Sequence, residues 1–298
     1  MQCAFAGTHY FYVIGNCDRL ASVNQEAKLL AMCVRRNALF LLGEIMVVFC
    51  TDLDNTIIYS YKHDIGERKR NVELYQGREI SFITEKTFDL LSEVKRNMLI
   101  IPTSTRTKEQ YERIDLGVGE FEYALVCNGG LLLKKGEVDM EWYNESLKLV
   151  DESSDAIKKS LFMLEKDDRR KFELRFIERL FVFTKCNNPE VVVNELKQQL
   201  DCSKVNVFNN GEKVYVVPVS LSKGMALKRL RNLLNIDYII AAGDSEFDIS
   251  MVNEADYGLV PYEFKMNFDA KSKAEEMSGR NVFSEELLEE CLKICRSK

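Results

Sequence analysis

The sequence predicts an α/β protein with a mostly parallel sheet and a second, inserted α+β domain. From Met46 onward, short apolar segments alternate with segments of helical periodicity, which is typical of βα units around a parallel sheet. The apolar segments are apolar throughout, as expected of strands that are covered on both faces. Between residues 131 and 217 the order becomes a helix and two strands, twice in succession. We therefore expect a Rossmann-like, doubly wound core with an inserted domain of the order αββαββ.

Four apolar segments give the predicted strands of the core, and helical periods follow several of them. The strands are predicted at Val47–Cys50, Met98–Ile101, Tyr123–Val126 and Tyr238–Ala242. The helices are predicted at Glu85–Arg96, Lys108–Ile114, Lys223–Leu234 and Phe247–Asn253. Between Val72 and Thr84, alternation around Gln76-Gly77 predicts a β-hairpin.

The inserted segment is predicted to begin with a helix over residues 145–166, and a second helix begins at Asn188-Pro189, a typical helix start. Its strands are predicted at Phe172–Phe176, Leu180–Thr184, Lys204–Phe208 and Lys213–Val217. The predicted domains are 1–45, an N-terminal extension of unknown role, 46–130 with 218–298, the core, and 131–217, the inserted domain.

Composition and charge exclude several classes of partner. The chain has 298 residues, with 41 Lys and Arg against 47 Asp and Glu, and so a formal net charge of −6. An acidic chain is a poor candidate for binding the backbone of a nucleic acid. The most apolar run, 38–50, is interrupted by Glu44 and is too short for a membrane span. The 9 cysteines include no CxxC pair, so we expect reduced thiols and a cytoplasmic protein.

Two carboxylates follow the first predicted strand in Asp52-Leu53-Asp54-Asn55-Thr56. Because side chains alternate along an extended chain, Asp52 and Asp54 would point the same way at the carboxyl end of the strand, where open α/β sheets bind ligands. Such a pair can hold a divalent cation, or one carboxylate can attack a substrate while the other moves a proton. An Asx-rich turn that closes the strand is the alternative.

Three further polar stretches lie where predicted strands give way to helices. Asp244 and Asp248 follow the strand at 238–242 and would share one face of a helix, or cap its N-terminus. Ser104 could place a hydroxyl and free backbone N–H groups around an anion, although Ser is also a common N-cap. Lys223 opens a helix and, taken alone, is typical of a solvated surface.

The order of these four stretches resembles the haloacid dehalogenase-like (HAD) phosphohydrolase superfamily. A DxDxT motif, a Ser/Thr motif, a lysine at a helix start and a GDxxxD motif follow one another, each at a strand-to-helix junction. The stretch Val126-Cys127-Asn128-Gly129-Gly130 is similar to a turn of the Cof-like and sucrose-phosphatase-like branch. The resemblance covers about Met46 to the C-terminus and implies the HAD core fold.

The resemblance also implies roles for individual residues. Asp52 would be the nucleophile that forms an aspartyl-phosphate, and Asp54 would protonate the leaving oxygen and then activate water. Lys223 would hold phosphoryl oxygens and neutralise charge on the nucleophile, while Asp248 would reach the metal through water or orient Lys223. The implied phosphate-binding residues are Ser104, Thr105, Arg106, Asn128 and Lys223. The implied ligands of a Mg²⁺ cofactor are Asp52, Asp54 through its backbone carbonyl, Asp244 and Asp248.

Three positions depart from the family pattern. Asn55 stands where Gly is frequent, and Thr105 stands within a motif that often reads Thr-Gly-Arg. Phe247 stands where the Cof-like branch often has Asn, and a phenylalanine cannot form the hydrogen bonds of an amide. We therefore expect the surroundings of the metal and the lysine to differ from the family pattern.

The insert, residues 131–217, lies between Ser104 and Lys223, which resembles the position of a C2-type cap. A cap would exclude water and contact the part of the substrate beyond the phosphate, whereas a merely stabilising insert is the alternative. Arginines that could meet a polar or anionic group of the substrate are Arg169, Arg170, Arg175 and Arg179, although such charges usually form solvated faces.

These observations predict a Mg²⁺-dependent phosphatase of the HAD type that acts on a small phosphorylated metabolite. A sugar phosphate is suggested by the family branch rather than by any residue. One alternative is a phosphomutase or phosphotransferase on the same scaffold, in which a hydroxyl replaces water. Another is a non-catalytic protein that binds a phosphate ligand, although binding alone would not need Asp54.

Overall fold

The computed structural model describes residues 45–267 and 274–297. The predicted extension, 1–45, lies outside these residues except for Ile45. From Met46 onward the chain forms one compact unit. In the described ranges, every helix is too short or too polar to cross a bilayer.

The described residues form fifteen strands and nine α-helices, with a 3₁₀ turn at Glu246–Asp248. The strands are β1 (Val47–Thr51), β2 (Tyr59–Ser60), β3 (Lys69–Tyr75), β4 (Arg78–Thr84), β5 (Leu99–Pro102), β6 (Tyr123–Val126), β7 (Leu131–Lys134), β8 (Glu137–Val138), β9 (Arg175–Ile177), β10 (Phe181–Lys185), β11 (Val205–Asn210), β12 (Lys213–Pro218), β13 (Tyr238–Ala242), β14 (Tyr257–Val260) and β15 (Ala274–Glu276). The helices are α1 (Glu85–Asn97), α2 (Lys108–Tyr111), α3 (Met140–Asp151), α4 (Ser154–Glu165), α5 (Pro189–Gln199), α6 (Lys223–Leu234), α7 (Ile249–Glu254), α8 (Phe264–Asn267) and α9 (Phe283–Ser297).

The core is a five-stranded parallel sheet in the order β15-β14-β13-β1-β5. Its strands are apolar throughout because both faces are covered. Phe49 and Ile240 pack on one face with residues of α1 and α9, whereas Val48 and Ile239 pack on the other with residues of α6 and α7. The predicted fold class, a doubly wound α/β core with an inserted α+β segment, is confirmed.

The insert carries a four-stranded antiparallel sheet in the order β11-β12-β10-β9. Side chains alternate between its two faces. Val182, Val214 and Val216 face a core that is shared with Ile157 of α4 and Val193 of α5. The opposite face carries a different set of side chains, aromatic and basic, which line the cleft described below.

Several predicted boundaries within the insert were wrong. The helix predicted over residues 145–166 is two helices, α3 and α4, because the chain turns at Ser153, whose hydroxyl donates to the carbonyl of Lys204 at 2.9 Å. The predicted strand at Phe172–Phe176 is β9, which is shorter and shifted towards the C-terminus. Of the insert's own strands, β7 pairs with β6, so residues 131–134 lie beside 123–126. The predicted domain boundaries stay a prediction.

The turn at Asn128-Gly129 packs directly on the helix that begins with Lys223. Gly129 has a φ of +84°, and a Cβ there would lie 2.3 Å from Ala226 Cβ in the first turn of α6. The indole of Trp142 donates to the carbonyl of Gly129 at 3.0 Å, and the Asn128 amide donates to Leu221 at 3.0 Å. This contact therefore fixes where α6 starts.

We expect Gly129→Ala to be more destabilising than Gly136→Ala, which provides a matched control. Gly136 also has a positive φ, +81°, but a Cβ at this position would have no other atom within 4 Å. The left-handed conformation costs an alanine about 1–2 kcal/mol at either site. At Gly129, overpacking against Ala226 adds roughly 1–3 kcal/mol. Urea unfolding of the two variants measures this difference, and equal losses would show that the close approach to α6 is not important.

Candidate active site

The turn after β1 places two aspartates at the carboxyl edge of the core sheet. The amide of Asp52 donates to Ala242 at 2.9 Å, which continues the pairing of β1 with β13. Asn55 then takes a φ of +58° and lets the chain turn back, with its amide donating to Ile58 at 2.7 Å. As a result, Asp52 and Asp54 both line a cleft of about 640 Å³.

Lys223 is a buried lysine at the first position of α6. Ser222 caps this helix and accepts a hydrogen bond from the amide of Met225. The Lys223 ammonium lies 2.6 Å from Asp52 Oδ1 and 2.6 Å from Asp248 Oδ1, and only 1% of its side chain is exposed. Although burial alone would lower its pKa, Asp248 and Asp52 raise the pKa of Lys223 above its usual range, so the lysine is charged.

Asp248 has both carboxylate oxygens engaged by the protein. Oδ1 accepts from Lys223, and Oδ2 accepts from the Ser245 hydroxyl at 2.7 Å and from the amides of Ser245 and Asp244 at 3.0 and 3.2 Å. The residue is fully buried. Of the two roles predicted for Asp248, this geometry favours orienting Lys223.

Three carboxylates face one ammonium at this point. Oxygens of Asp52, Asp244 and Asp248 lie within 4.8 Å of one another. Burial and neighbouring carboxylates raise the pKa of Asp52, and burial and Asp248 raise the pKa of Asp244 to about 7. With three carboxylates against one ammonium, the cluster favours either a proton on its aspartates or a further cation. Hard oxygen donors in such an arrangement fit Mg²⁺, which prefers carboxylate and water ligands.

Asp54 has different partners from Asp52. Arg106 donates to its two oxygens from Nε and from the guanidinium nitrogen Nη2, both at 2.7 Å. The same guanidinium also donates to both oxygens of Glu73, at 2.8 and 2.9 Å. Arg113 adds a further contact to Glu73 at 3.2 Å. Arg106 is therefore held between two carboxylates, one at the cleft and one buried behind it.

The structure brings most of the predicted site residues together. Those that line the cleft are Asp52, Asp54, Thr105, Arg106, Lys223 and Asp244. Ser104 and Asn128 do not line it, and both are almost fully buried. The backbone N–H of Asn128 donates to the backbone carbonyl of Ser104 at 3.0 Å, so the two residues connect the two loops in which they lie. Their assignment as phosphate ligands stays a prediction.

The two departures at Asn55 and Phe247 have physical explanations. Asn tolerates the left-handed conformation that Gly usually supplies, and the Asn55 side chain also hydrogen-bonds to Asp244. Phe247 packs against the insert, with ring centroids 4.6 Å from Phe208 and 5.1 Å from Tyr215. Lys223 donates hydrogen bonds to Asp52 and Asp248 and needs none from position 247.

Sequence reasoning missed several residues of the cleft. Glu73 lies on β3, and its side chain is fully buried against Arg106. Lys185, Lys213 and Tyr215 of the insert line the cleft as well. Of the arginines proposed as substrate contacts, only Arg175 lines it. Alternation along a strand shows which side chains share a face. It does not show which of the two faces packs on the core, so these cleft residues could not be identified from the sequence.

Comparison with known protein families finds a match over part of the chain. Residues 133–260 match the family model described as haloacid dehalogenase-like hydrolase. The matched range covers less than half of the chain, and it agrees with the resemblance that the motifs predicted. Comparison with curated protein sequences finds no match.

Solved structures show the same fold at low sequence identity. The sucrose-phosphatase from Synechocystis sp. PCC6803 is 16% identical, with a TM-score of 0.57 over 84% of this chain and 98% of that chain. A HAD-superfamily phosphatase from Bacteroides thetaiotaomicron is 13% identical, with a TM-score of 0.50 over 85% and 96%. The IMP-nucleotidase from Plasmodium falciparum is 16% identical, with a TM-score of 0.50 over 87% of this chain and 70% of that chain. The predicted resemblance to the sucrose-phosphatase-like branch is therefore confirmed at the level of the fold.

We expect Glu73→Gln to lower the free energy of unfolding by about 3–5 kcal/mol at neutral pH, because it leaves buried arginine donors without their anionic partner. Burial alone would raise the pKa of Glu73, but hydrogen bonds from Arg106, Ser81 and Arg113 outweigh it and lower the pKa. The charged form therefore stabilises the fold above the unfolded-state pKa, and this contribution is lost as the pH falls through the lower, folded-state pKa. Chemical unfolding measured from neutral to acid pH should show the difference from wild type shrinking.

The control for this prediction is Glu79→Gln, which removes an exposed carboxylate from the same hairpin. It should leave stability within about 0.5 kcal/mol of wild type at every pH. A pH-independent loss in Glu73→Gln would contradict the stabilising role of its charge.

Proposed function

We propose that this protein is a Mg²⁺-dependent phosphatase that cleaves a small phosphomonoester through an aspartyl-phosphate intermediate. The observation that carries the proposal is the contact of Asp52 Oδ1 with Lys223 at 2.6 Å, inside a cluster with Asp244 and Asp248 at the edge of the cleft. A phosphate dianion approaching this many carboxylates is repelled unless cations offset their charge. A lysine and a divalent ion at the nucleophile meet that requirement.

Asp52 is the proposed nucleophile, and its Oδ2 is the proposed attacking atom. Oδ1 is held by Lys223, whereas the contact of Oδ2 with the Thr56 hydroxyl is long, at 3.5 Å. Attack by Oδ2 on phosphorus forms the Asp52–phosphate bond and breaks the bond from phosphorus to the leaving oxygen. Water then attacks the phosphorus, inorganic phosphate leaves and the carboxylate of Asp52 is regenerated, so that one difficult displacement becomes two easier ones.

Asp54 is the proposed group that gives a proton to the leaving oxygen and then takes one from water. Arg106 occupies both of its oxygens, and a guanidinium can only donate hydrogen bonds. A protonated Asp54 oxygen therefore has to leave at least one of these contacts. We propose that substrate binding draws Arg106 towards the phosphate, while Glu73 keeps hold of the other side of the guanidinium.

Mg²⁺ would be held by Asp52, by Asp244 and by the backbone carbonyl of Asp54. When bound, it would neutralise charge on the phosphoryl oxygens and help to orient them for in-line attack. Asp248 would act on the lysine rather than on the metal, because its oxygens are already engaged.

A sugar phosphate is the proposed substrate class. The proposal draws on the likeness to the sucrose-phosphatase, whose structure is a complex with sucrose and phosphate. The cleft of about 640 Å³ suits a small metabolite, and two aromatic rings of the insert, Phe183 and Tyr215, are part of its lining. A cytoplasmic location remains a proposal from the cysteine pattern.

Replacing Asp52 by Asn should abolish turnover, with a loss of about 10⁴-fold or more in kcat for p-nitrophenyl phosphate. The amide keeps the shape of the side chain but is a far weaker nucleophile. The matched control is Glu246→Gln, which removes a nearby exposed carboxylate that does not line the cleft and should retain full activity. Nitrophenol release is followed together with inorganic phosphate.

Two outcomes would redirect the proposal. Full activity of a folded Asp52→Asn protein, checked by circular dichroism, would refute the nucleophile. Nitrophenol release without an equal amount of phosphate, when an alcohol is present, would indicate a phosphotransferase.

Removal of divalent ions with EDTA should silence the enzyme, and Mg²⁺ should restore it. Mg²⁺ should also raise the thermal midpoint of the wild-type protein, since an ion that binds only the folded state stabilises it. In Asp244→Asn this shift should disappear. Undiminished activity in EDTA would count against the metal role, and an unchanged shift in Asp244→Asn would move the ion away from this cluster.

A further inference from the structure

We infer, resting on the proposed function, that the substrate carries a second anionic group beyond the phosphate that is cleaved, and that Lys185 and Lys213 of the insert bind it. This group is a carboxylate or a second phosphate.

The sheet of the insert places these two lysines side by side on the wall of the cleft. Lys185 ends β10, Lys213 begins β12, and the two residues are direct cross-strand partners. Both line the cleft, as do Phe183 and Tyr215, the next residues along each strand on the same face. Two ammonium groups therefore face the same space at one end of the cleft wall.

Like charges directly opposite one another destabilise an antiparallel pair of strands, so the two lysines lower the stability of the insert's sheet. Among the described residues, neither Lys185 nor Lys213 forms an ion pair, although Lys185 lies 5.2 Å from the ring of Phe172. Other basic side chains of the insert do find acidic partners. Lys171 pairs with Glu212, and Lys204 pairs with Glu152.

Protection of a sheet edge does not explain the pair, because both lysines lie on inner strands. In the order β11-β12-β10-β9, strands β12 and β10 each have a neighbour on both sides. Lysines that prevent edge-to-edge association belong on outer strands. Lys185 and Lys213 therefore call for a ligand rather than a role in folding.

The carboxylates of the cleft come from one side only, although that side also carries Arg106, Arg113 and Lys223. These carboxylates, on Asp52, Asp54, Glu73 and Asp244, all come from the core side. The charged residues that the insert contributes are Arg175, Lys185 and Lys213, all basic. Arg175 is paired with Glu173, which leaves the two lysines for a ligand.

The electrostatic surroundings of Lys213 also favour a bound anion. Lys213 is exposed to the cleft, yet the protein atoms around it desolvate its ammonium and lower its pKa, and Asp54 partly opposes this effect. Lys185 and Arg106 lower the pKa further because they are positively charged. An anion beside Lys213 would relieve both the desolvation and the repulsion. A substrate whose scissile phosphate lies at Asp52 and whose other end carries an anionic group would place that group beside Lys185 and Lys213.

Matched substrate pairs test the inference. With wild-type enzyme and Mg²⁺, kcat and KM are measured for 6-phosphogluconate against glucose 6-phosphate, and for fructose 1,6-bisphosphate against fructose 6-phosphate. The first pair tests a carboxylate and the second tests a further phosphate. We expect at least one anionic member to have a kcat/KM roughly 10-fold or more above that of its neutral partner, through a lower KM, as one charge-assisted hydrogen bond provides.

Lys213→Met and Lys185→Met should each remove most of this preference, raising KM for the anionic substrate roughly 10-fold. In each variant the ratio of kcat/KM between the anionic substrate and its neutral partner should fall towards 1, which separates loss of the anion contact from a general loss of activity. Lys197→Met, which removes an exposed lysine of α5 outside the cleft, is the charge-matched control and should behave as wild type. Circular dichroism and thermal unfolding confirm that the variants are folded.

Failure of this inference and failure of the proposed function are distinguishable. Hydrolysis of p-nitrophenyl phosphate with equal kcat/KM within both substrate pairs, unchanged in the lysine variants, overturns the second anionic group and leaves the phosphatase intact. No hydrolysis of any substrate overturns the phosphatase. In that case, titration calorimetry in the presence of Mg²⁺ measures the affinity of the protein for the same four ligands. Equal affinities within each pair overturn the anion site.

Discussion

The candidate site depends on one buried cation, Lys223, which is held between the carboxylates of Asp52 and Asp248. Moving an ammonium or a carboxylate out of water costs several kcal/mol per ion, and the pairing recovers this cost only with good geometry and further hydrogen bonds. Here both contacts are 2.6 Å, and Ser245 fixes the second oxygen of Asp248. The arrangement is better explained as a device that positions one oxygen of Asp52 than as a source of stability.

Two aspartates only two residues apart are given different electrostatic surroundings. The side chain of Asp52 is 8% exposed and lies among carboxylates and a lysine, whereas the side chain of Asp54 is 48% exposed and pairs with the guanidinium of Arg106. Different environments for neighbouring carboxylates are a common way for an enzyme to assign them different roles in proton transfer. Glu73, buried behind Arg106, keeps this guanidinium anchored whatever Asp54 does. The difference between the two aspartates therefore rests on a residue that hydrogen-bonds to neither Asp52 nor Lys223.

The sequence was sufficient for the parts of the structure that local patterns determine. Apolar strands predicted the core sheet, and the strand-to-helix junctions predicted that Asp52, Lys223 and Asp244 would meet, because parallel strands end at one edge. The partners of these residues could not be predicted in the same way. Glu73 lies on the hairpin and Arg106 lies in the loop after β5, 33 residues further along the chain. Their contact depends on the tertiary structure and cannot be read from their spacing in the sequence. The break between α3 and α4 was likewise missed, since helical periodicity continues across it.

Phe247 departs from the family pattern, and in this structure it has a packing role in place of a hydrogen-bonding one. Lys223 donates to Asp248, and Ser245 donates to the second oxygen of Asp248, so neither contact depends on a polar side chain at position 247. The ring instead contacts Phe208 and Tyr215 of the insert, and so joins the loop that carries Asp244 to the wall of the cleft. An apolar contact can separate and re-form without leaving a buried polar group unpaired, whereas a polar contact at the same place would leave its donor or acceptor without a partner. The insert is thus joined to the loop that carries Asp244 by a contact that holds the two together without an obligatory hydrogen bond.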